Sequence, residues 1–178
     1  MLGIGLLKGL GVTARNFFRS YSDPARLPTV QYPEEGDTVT QFTRNIPFLV
    51  FDGDAPIDGM RCTACLACEK ACPPQCIRIV KDTDENGKNL KRPHVFDIDA
   101  SVCMSCRLCV EACPFEAIRM DSAYELSTTN RFAGLLYTRE QLLKSNAYYH
   151  EIHPDEATET DARLKADQEK KAAAAAAK

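Results

Sequence analysis

The run Cys62, Cys65, Cys68, Cys72, Pro73 reads Cys-x2-Cys-x2-Cys-x3-Cys-Pro, and the same spacing returns at Cys103, Cys106, Cys109, Cys113, Pro114. Together the runs take all but one of the nine cysteines. RCTACLACEKACPPQCIRI and VCMSCRLCVEACPFEAIRM align without a gap, sharing every motif cysteine and proline, the alanine before the last motif cysteine and a later Ile-Arg. The chain therefore contains a duplication whose unit is a cysteine run and a short strand. Nothing else in the sequence constrains the fold as tightly, because each run has to aim its thiols at a common centre.

Three thiols at this spacing wrap one [4Fe–4S] cluster, which takes one thiolate per iron. The fourth, on a short helix pointing away, reaches the partner cluster. Cys62, Cys65, Cys68 and Cys113 are thus assigned to the first of two [4Fe–4S] clusters, and Cys103, Cys106, Cys109 and Cys72 to the second. The proline after each fourth cysteine ends the helix and turns the chain into the strand. Isolated Cys-x2-Cys pairs could make a zinc ribbon, but zinc has no use for the repeated fourth cysteine and proline. Cys76 is left over, and Ala117 stands at its place in the second unit. It reads as a small apolar residue packed on a cluster, with a spare ligand or a redox-active thiol as the alternative.

Composition mainly excludes. A net charge of −3 argues against a nucleic-acid binder. The cysteine spacing is not that of a secreted disulfide framework, and no small-residue cleavage site follows the N-terminal apolar stretch, so the thiols are expected in a reducing compartment. No apolar run approaches the ~20 residues that span a bilayer. There is no Gly-rich phosphate loop, no G-x-G-x-x-G and no Ser/His/Asp set, so no catalytic residue is assigned and no direct NADH or flavin binding is expected. His94, His150 and His153 read as surface or loop histidines.

Residues 2–19 have helical period, with Lys8, Arg15 and Arg19 in one stripe and Leu2, Leu6, Leu7, Leu10, Ala14, Phe17 and Phe18 on the opposite arc. This is the pattern of a helix lying on a membrane surface, and the segment 1–20 is read so. Residues 21–58 form an extended arm with Pro24, Pro28, Pro33 and Pro47. It ends in a strand or packed segment Phe48-Leu49-Val50-Phe51 and a turn at Asp52-Gly53-Asp54. Within the cluster domain, 59–122, strands are predicted at Ile77-Arg78-Ile79-Val80 and His94-Val95-Phe96-Asp97-Ile98. They flank a charged loop, 81–93, with an Asn86-Gly87 turn, and Ile118-Arg119-Met120 follows the second run. Residues 123–153 are an extension expected to pack on partners, with a short helix opened by Thr138-Arg139-Glu140. Residues 154–178 read as a low-complexity tail, helical at most in part.

The tandem runs resemble the bacterial two-cluster ferredoxin domain, which implies an α+β fold with a pseudo-twofold repeat of short antiparallel strands and short helices. The flanks are similar to a narrower family, the I subunit of NADH:quinone oxidoreductase (respiratory complex I). That likeness rests on the amphipathic start, the Pro-rich arm, Arg44-Asn45-Ile46-Pro47-Phe48-Leu49, Tyr124-Glu125-Leu126, Leu135-Leu136-Tyr137, Glu140 and Leu142-Leu143, over roughly residues 1–145. Many members carry Gly-Arg-His before the first run, and this chain has no counterpart.

The resemblance implies an electron-relay subunit that passes electrons one at a time, through two clusters, from a flavin-bearing arm toward a quinone-proximal cluster. The complex as a whole translocates protons. Implied partners are the iron–sulfur subunits of the hydrophilic arm, quinone-site subunits and a membrane subunit. The implied location is peripheral, on the cytoplasmic face of a bacterial inner membrane. An equivalent subunit of a related membrane-bound hydrogenase or ferredoxin-dependent complex would share this chemistry and differ in electron donor. A free ferredoxin would leave the long flanks without a purpose.

Overall fold

A computed structural model describes residues 2–26, 29–36, 39–85 and 87–176. The chain divides into two compact units, residues 1–38 and 39–178. In the first, helix α1 runs over Leu2–Ser22 and a 3-10 turn follows at Pro24–Arg26, where Arg26 donates to Asn16 Oδ1 at 2.8 Å. Ile4, Leu6, Leu7, Leu10, Phe17 and Phe18 are all exposed on α1. Among the described residues no helix is long and apolar enough to cross a membrane. Pro28 and the Leu2 side chain lie outside the described set.

The second unit holds β1 (Pro47–Phe51), α2 (Ala67–Ala71), β2 (Ile77–Thr83), β3 (Asn89–Asp99), α3 (Leu108–Glu111) and β4 (Ile118–Met120). After these come α4 (Arg131–Gly134), β5 (Leu136–Tyr137), α5 (Arg139–Leu142), β6 (Leu143–Ser145), α6 (Asn146–Ile152) and α7 (Pro154–Ala176). Both classes of element are present, so the fold is α+β. The strands form two sheets, ordered β4-β1-β6 and β2-β3-β5. The duplication sets this pairing. β1 precedes the first cysteine run and pairs antiparallel with β4, which follows the second; β2 follows the first run and pairs antiparallel with β3, which precedes the second. Exchanging the two repeats maps one pair onto the other.

β1 explains why its sequence is a continuous apolar run and not an alternating one. Leu49 faces the cluster of buried residues that contains Cys62, Cys68, Cys72 and Cys109, while Phe48 and Val50 face Tyr149 and Ala157. A strand buried on both faces has no solvent face on which to place polar residues.

Three expectations need correction. The charged stretch 81–93 is mostly strand: β2 continues to Thr83 and β3 starts at Asn89, with register shifts after Val80 and after Lys81. Exposed ladder residues tolerate charge, and Arg92 is paired with Asp82 across the hairpin at 2.6 Å. The turn itself closes from Gly87 N–H to Asp84 O at 3.0 Å, with Gly87 at φ +75°; Asn86 is outside the described residues.

Second, residues 154–176 are one helix, not a partly helical tail, and its start is packed: Ala157 and Thr160 are fully buried. Pro154 at the first helical position, Asp155 and Glu156 in the first turn and small residues facing Tyr149 supply the physical reasons. α6 likewise covers β1 of its own chain through Tyr149. Third, His153, expected as a surface or loop histidine, lies in the link between α6 and α7 but is buried; its Nε2 lies 2.8 Å from the Met120 carbonyl and its Nδ1 contacts the Gln41 carbonyl. His94 is exposed, as expected, and His150 contacts Asp161 at 2.8 Å.

Candidate iron–sulfur centre

Two small cavities of the second unit are lined by the motif cysteines. One is lined by Cys62, Cys65, Cys68 and Cys113 together with Ile79, Phe96 and Ile118. The other is lined by Cys103, Cys106, Cys109 and Cys72. Each therefore gathers three thiols of one run and the last thiol of the other, the grouping that the spacing assigns. The crossing is made by the short helices. Cys68 lies in α2 and Cys72 immediately after it, while Cys109 lies in α3 and Cys113 two residues beyond it. The fourth cysteine thus sits just past the helix and not on it. Third and fourth cysteines are about one helical turn apart, ~6 Å of rise, yet face different cavities.

The loops are bent by left-handed backbone at matched places. Ala64, Leu66 and Gln75 have φ of 53°, 65° and 51°; their equivalents in the second repeat, Ser105, Arg107 and Glu116, have 51°, 70° and 53°. None is glycine, so each costs roughly 1–2 kcal/mol. Strain repeated at three matched positions marks a conformation that the site demands. Such bends turn successive backbone N–H groups inward, the arrangement that suits an anionic group. Ala117 N–H points at Cys113 Sγ at 3.4 Å, and backbone donors at Ala64, Glu69 and Val110 serve Cys62, Cys68 and Cys109.

Burial pushes the Cys62 thiol up to about 11, and the thiols of Cys68 and Cys109 up to about 12, with neighbouring cysteines adding to the effect. Thiolates in these cavities need a cation close by, and four irons supply it. A cubane takes one thiolate per iron, and each cavity brings together four motif cysteines. The residues present therefore fit two [4Fe–4S] clusters.

Cys76 falls in the second cavity. It is buried, and its Sγ is 3.4 Å from Cys72 Sγ. Burial drives its thiol strongly upward, reinforced by Cys72 and Cys103.

Around the cavities, ionic clamps tie the C-terminal helices to both repeats. The buried Arg119 of β4 contacts Glu116, Glu156 at 3.2 Å and Thr160 at 3.0 Å, and its guanidinium lies 5.3 Å from the Tyr149 ring centre. Arg61, beside Cys62, bridges Asp52 at 2.7 Å and Asp161 at 3.1 Å. Burial alone would raise the Asp161 carboxyl, but His150, Asn146 and Arg61 hold it below the usual range. Sequence reading missed these residues, because Glu156, Thr160 and Asp161 lie far along the chain from the arginines they meet.

Residues 61–117 match the family described as the 4Fe-4S dicluster domain. NADH-quinone oxidoreductase subunit I of Magnetococcus marinus is 40% identical over 163 residues, which is 91% of this chain and 88% of that protein. The subunit I of Campylobacter fetus is 38% identical over 97 residues, 53% of this chain and 55% of that protein. That of Bdellovibrio bacteriovorus is 30% identical over 95 residues, 53% of each. In these last two matches the chain spans about half the length of its relative. A chain of the archaeal membrane-bound sulfane sulfur reductase, a respiratory membrane complex, aligns with TM-score 0.47 and 21% identity, covering 73% of this chain and 62% of that one.

Proposed function

Because this chain belongs to the NADH-quinone oxidoreductase subunit I family, we propose that it is the two-cluster relay subunit of such an enzyme, carrying electrons from the NADH side toward the quinone. The observation that carries the reading is the crossed lining of the two cavities, each of which takes three thiols from one run and the last thiol of the other. Cys62, Cys65, Cys68 and Cys113 would hold one cluster, and Cys103, Cys106, Cys109 and Cys72 the other. When bound, each cluster accepts and releases one electron.

The chain's own residues hold, insulate and expose. Ile79, Phe96 and Ile118 keep water from the first site, and Pro47, Ile77 and Met120 from the second. Cys65 is exposed at the rim of the first and Met104 at the rim of the second, offering a way in and a way out. No acid–base residue is required, and in this reading the chain transforms no substrate of its own.

The assembly around the relay is part of the proposal. Residues 2–19 would lie on the membrane surface, their exposed leucines and phenylalanines inward and Lys8, Arg15 and Arg19 toward the headgroups. The stretch before β1 and the one between β4 and β5 would reach neighbouring subunits; Tyr124 and Phe132 are exposed for this. The place is the cytoplasmic face of the membrane.

The test is purification of the assembled complex from detergent-solubilised membranes. NADH should reduce both clusters and a quinone should reoxidise them, read by EPR. Recovery of the chain as a free protein in the supernatant would sink the reading. Reduction by hydrogen, with a nickel subunit co-purifying and no response to NADH, would favour the hydrogenase-type complex.

A further inference from the structure

We propose that the Cys76 thiol donates a hydrogen bond to the Cys72 sulfur, and so raises the midpoint potential of the cluster held by Cys72, Cys103, Cys106 and Cys109. This rests on the ligand assignment above. Cys76 is 9% exposed, lines that cavity and places its Sγ 3.4 Å from Cys72 Sγ. A sulfur bound to iron has lost its proton and can only accept. A cysteine that is not a ligand keeps its S–H, so the direction of the bond follows from the roles.

The other repeat supplies an internal comparison. Ala117 occupies the position of Cys76, each just ahead of its strand, and Cys113 that of Cys72. At Cys113 the close contact from this position is the Ala117 backbone N–H, 3.4 Å away. Where one site has a methyl group, the other has a thiol donor. A hydrogen bond to a ligand sulfur stabilises the more negative, reduced state, so it favours uptake of the electron. Cys76 is thus a positioning residue that separates two otherwise matched sites.

The experiment uses the intact complex carrying Cys76→Ala or Cys76→Ser. EPR-monitored redox titration reads each cluster's potential, pulsed EPR reads exchangeable proton couplings, and iron analysis counts the clusters. Cys76→Ala should keep both clusters, shift one potential downward, leave the other in place and lose an exchangeable coupling. Cys76→Ser, whose hydroxyl also donates, should restore the coupling and most of the potential. Two unmoved potentials in Cys76→Ala overturn the hydrogen bond alone, as does a serine variant that behaves like the alanine one. Loss of one cluster in Cys76→Ala makes Cys76 a ligand, and overturns the assignment of Cys72 as well. Should the alanine variant fail to assemble, a serine variant without the coupling is sufficient to reject the idea.

Discussion

Leu66 and Arg107 hold the same left-handed backbone, φ 65° and 70°, at matched positions immediately before α2 and α3. One side chain is apolar and the other cationic, so what the repeats share here is a backbone requirement. The loop must reverse between the second and third cysteines for three thiols to face one centre. Gln75, exposed and at φ 51°, carries the same strain where its side chain makes no demand. Gln75→Gly should therefore raise stability by about 1 kcal/mol, seen as a higher temperature for loss of the cluster chromophore. Gln75→Val should lower it, since a β-branched residue fits this region worst. Equal melting of all three proteins would contradict the strain argument.

Cluster retention should weaken as pH falls. Burial raises the free thiols of Cys62, Cys68 and Cys109 to about 11 or 12, whereas the iron-bound form is the thiolate. Binding therefore releases protons at every pH below those values, and affinity for the cluster grows as pH rises toward them. Iron transfer to a chelator should accelerate steeply from about pH 8 to about pH 6. A flat profile over that interval would contradict the raised thiol values.

The grouping of cysteines around the two cavities follows the sequence spacing, because spacing along the chain is a covalent constraint; that these groups are the ligand sets is part of the proposal. The β2–β3 hairpin was readable in outline, as two short apolar runs on either side of a turn; the pairing of β1 with β4 was not, because the two strands lie far apart along the chain. The α6–α7 cover was not. Ala157, Thr160 and Glu156 sit in a composition of Ala, Glu, Lys and Asp that equally suits a solvated helix. Only the fold shows that Phe48 and Val50 need covering on the face away from the cysteines. His153 was lost likewise, because the carbonyls it meets, at Gln41 and Met120, are anonymous in sequence.

Truncation separates the packed part of α7 from the exposed part. Ending the chain before Pro154 removes Glu156 and Thr160 from the buried Arg119 and uncovers Tyr149. Arg119 keeps Glu116 but loses two of its three partners, and removing a partner of a buried charge costs about 3 kcal/mol or more, so the cluster chromophore should be lost at markedly lower temperature. Ending it before Lys165 removes mainly exposed residues and keeps those contacts; the change should stay within about 0.5 kcal/mol. Similar melting of the two truncations would show that α7 does not stabilise the domain.

Gly59 tests the loop that leads into the first run. A Cβ there would lie 1.9 Å from the Asp52 carbonyl oxygen and 3.0 Å from that of Ala55, both backbone atoms with little room to move. Gly59 also donates to Ala55 O at 2.8 Å and accepts from Asp52 N–H at 2.9 Å, so the loop cannot open without losing these bonds. Gly59→Ala should cost about 2 kcal/mol or more and lower the melting temperature of the cluster-loaded protein. An unchanged melting temperature would mean that the approach of the two loop segments is looser than the structure has it.

The proposed crossed ligation makes opposite predictions for the two fourth cysteines. Cys113 follows the second run in sequence but lines the cavity of Cys62, Cys65 and Cys68; Cys72 follows the first run but lines that of Cys103, Cys106 and Cys109. Cys113→Ala should therefore damage the cluster shared with Cys62, and Cys72→Ala the one shared with Cys103. The two spectra can be told apart by first replacing Cys65 or Cys106, each of which has no role at the other site. Cys113→Ala should then remove or convert the same EPR signal as Cys65→Ala, and Cys72→Ala the same signal as Cys106→Ala. With Cys76 3.4 Å from Cys72, the Cys72→Ala protein also has a nearby thiol to offer, so its cluster should be altered in spectrum and potential more readily than lost. The Cys113 site has Ala117 at the equivalent place and should show outright loss. If Cys72→Ala instead altered the signal assigned through Cys65, each run would be building its own site, and the crossing would be wrong.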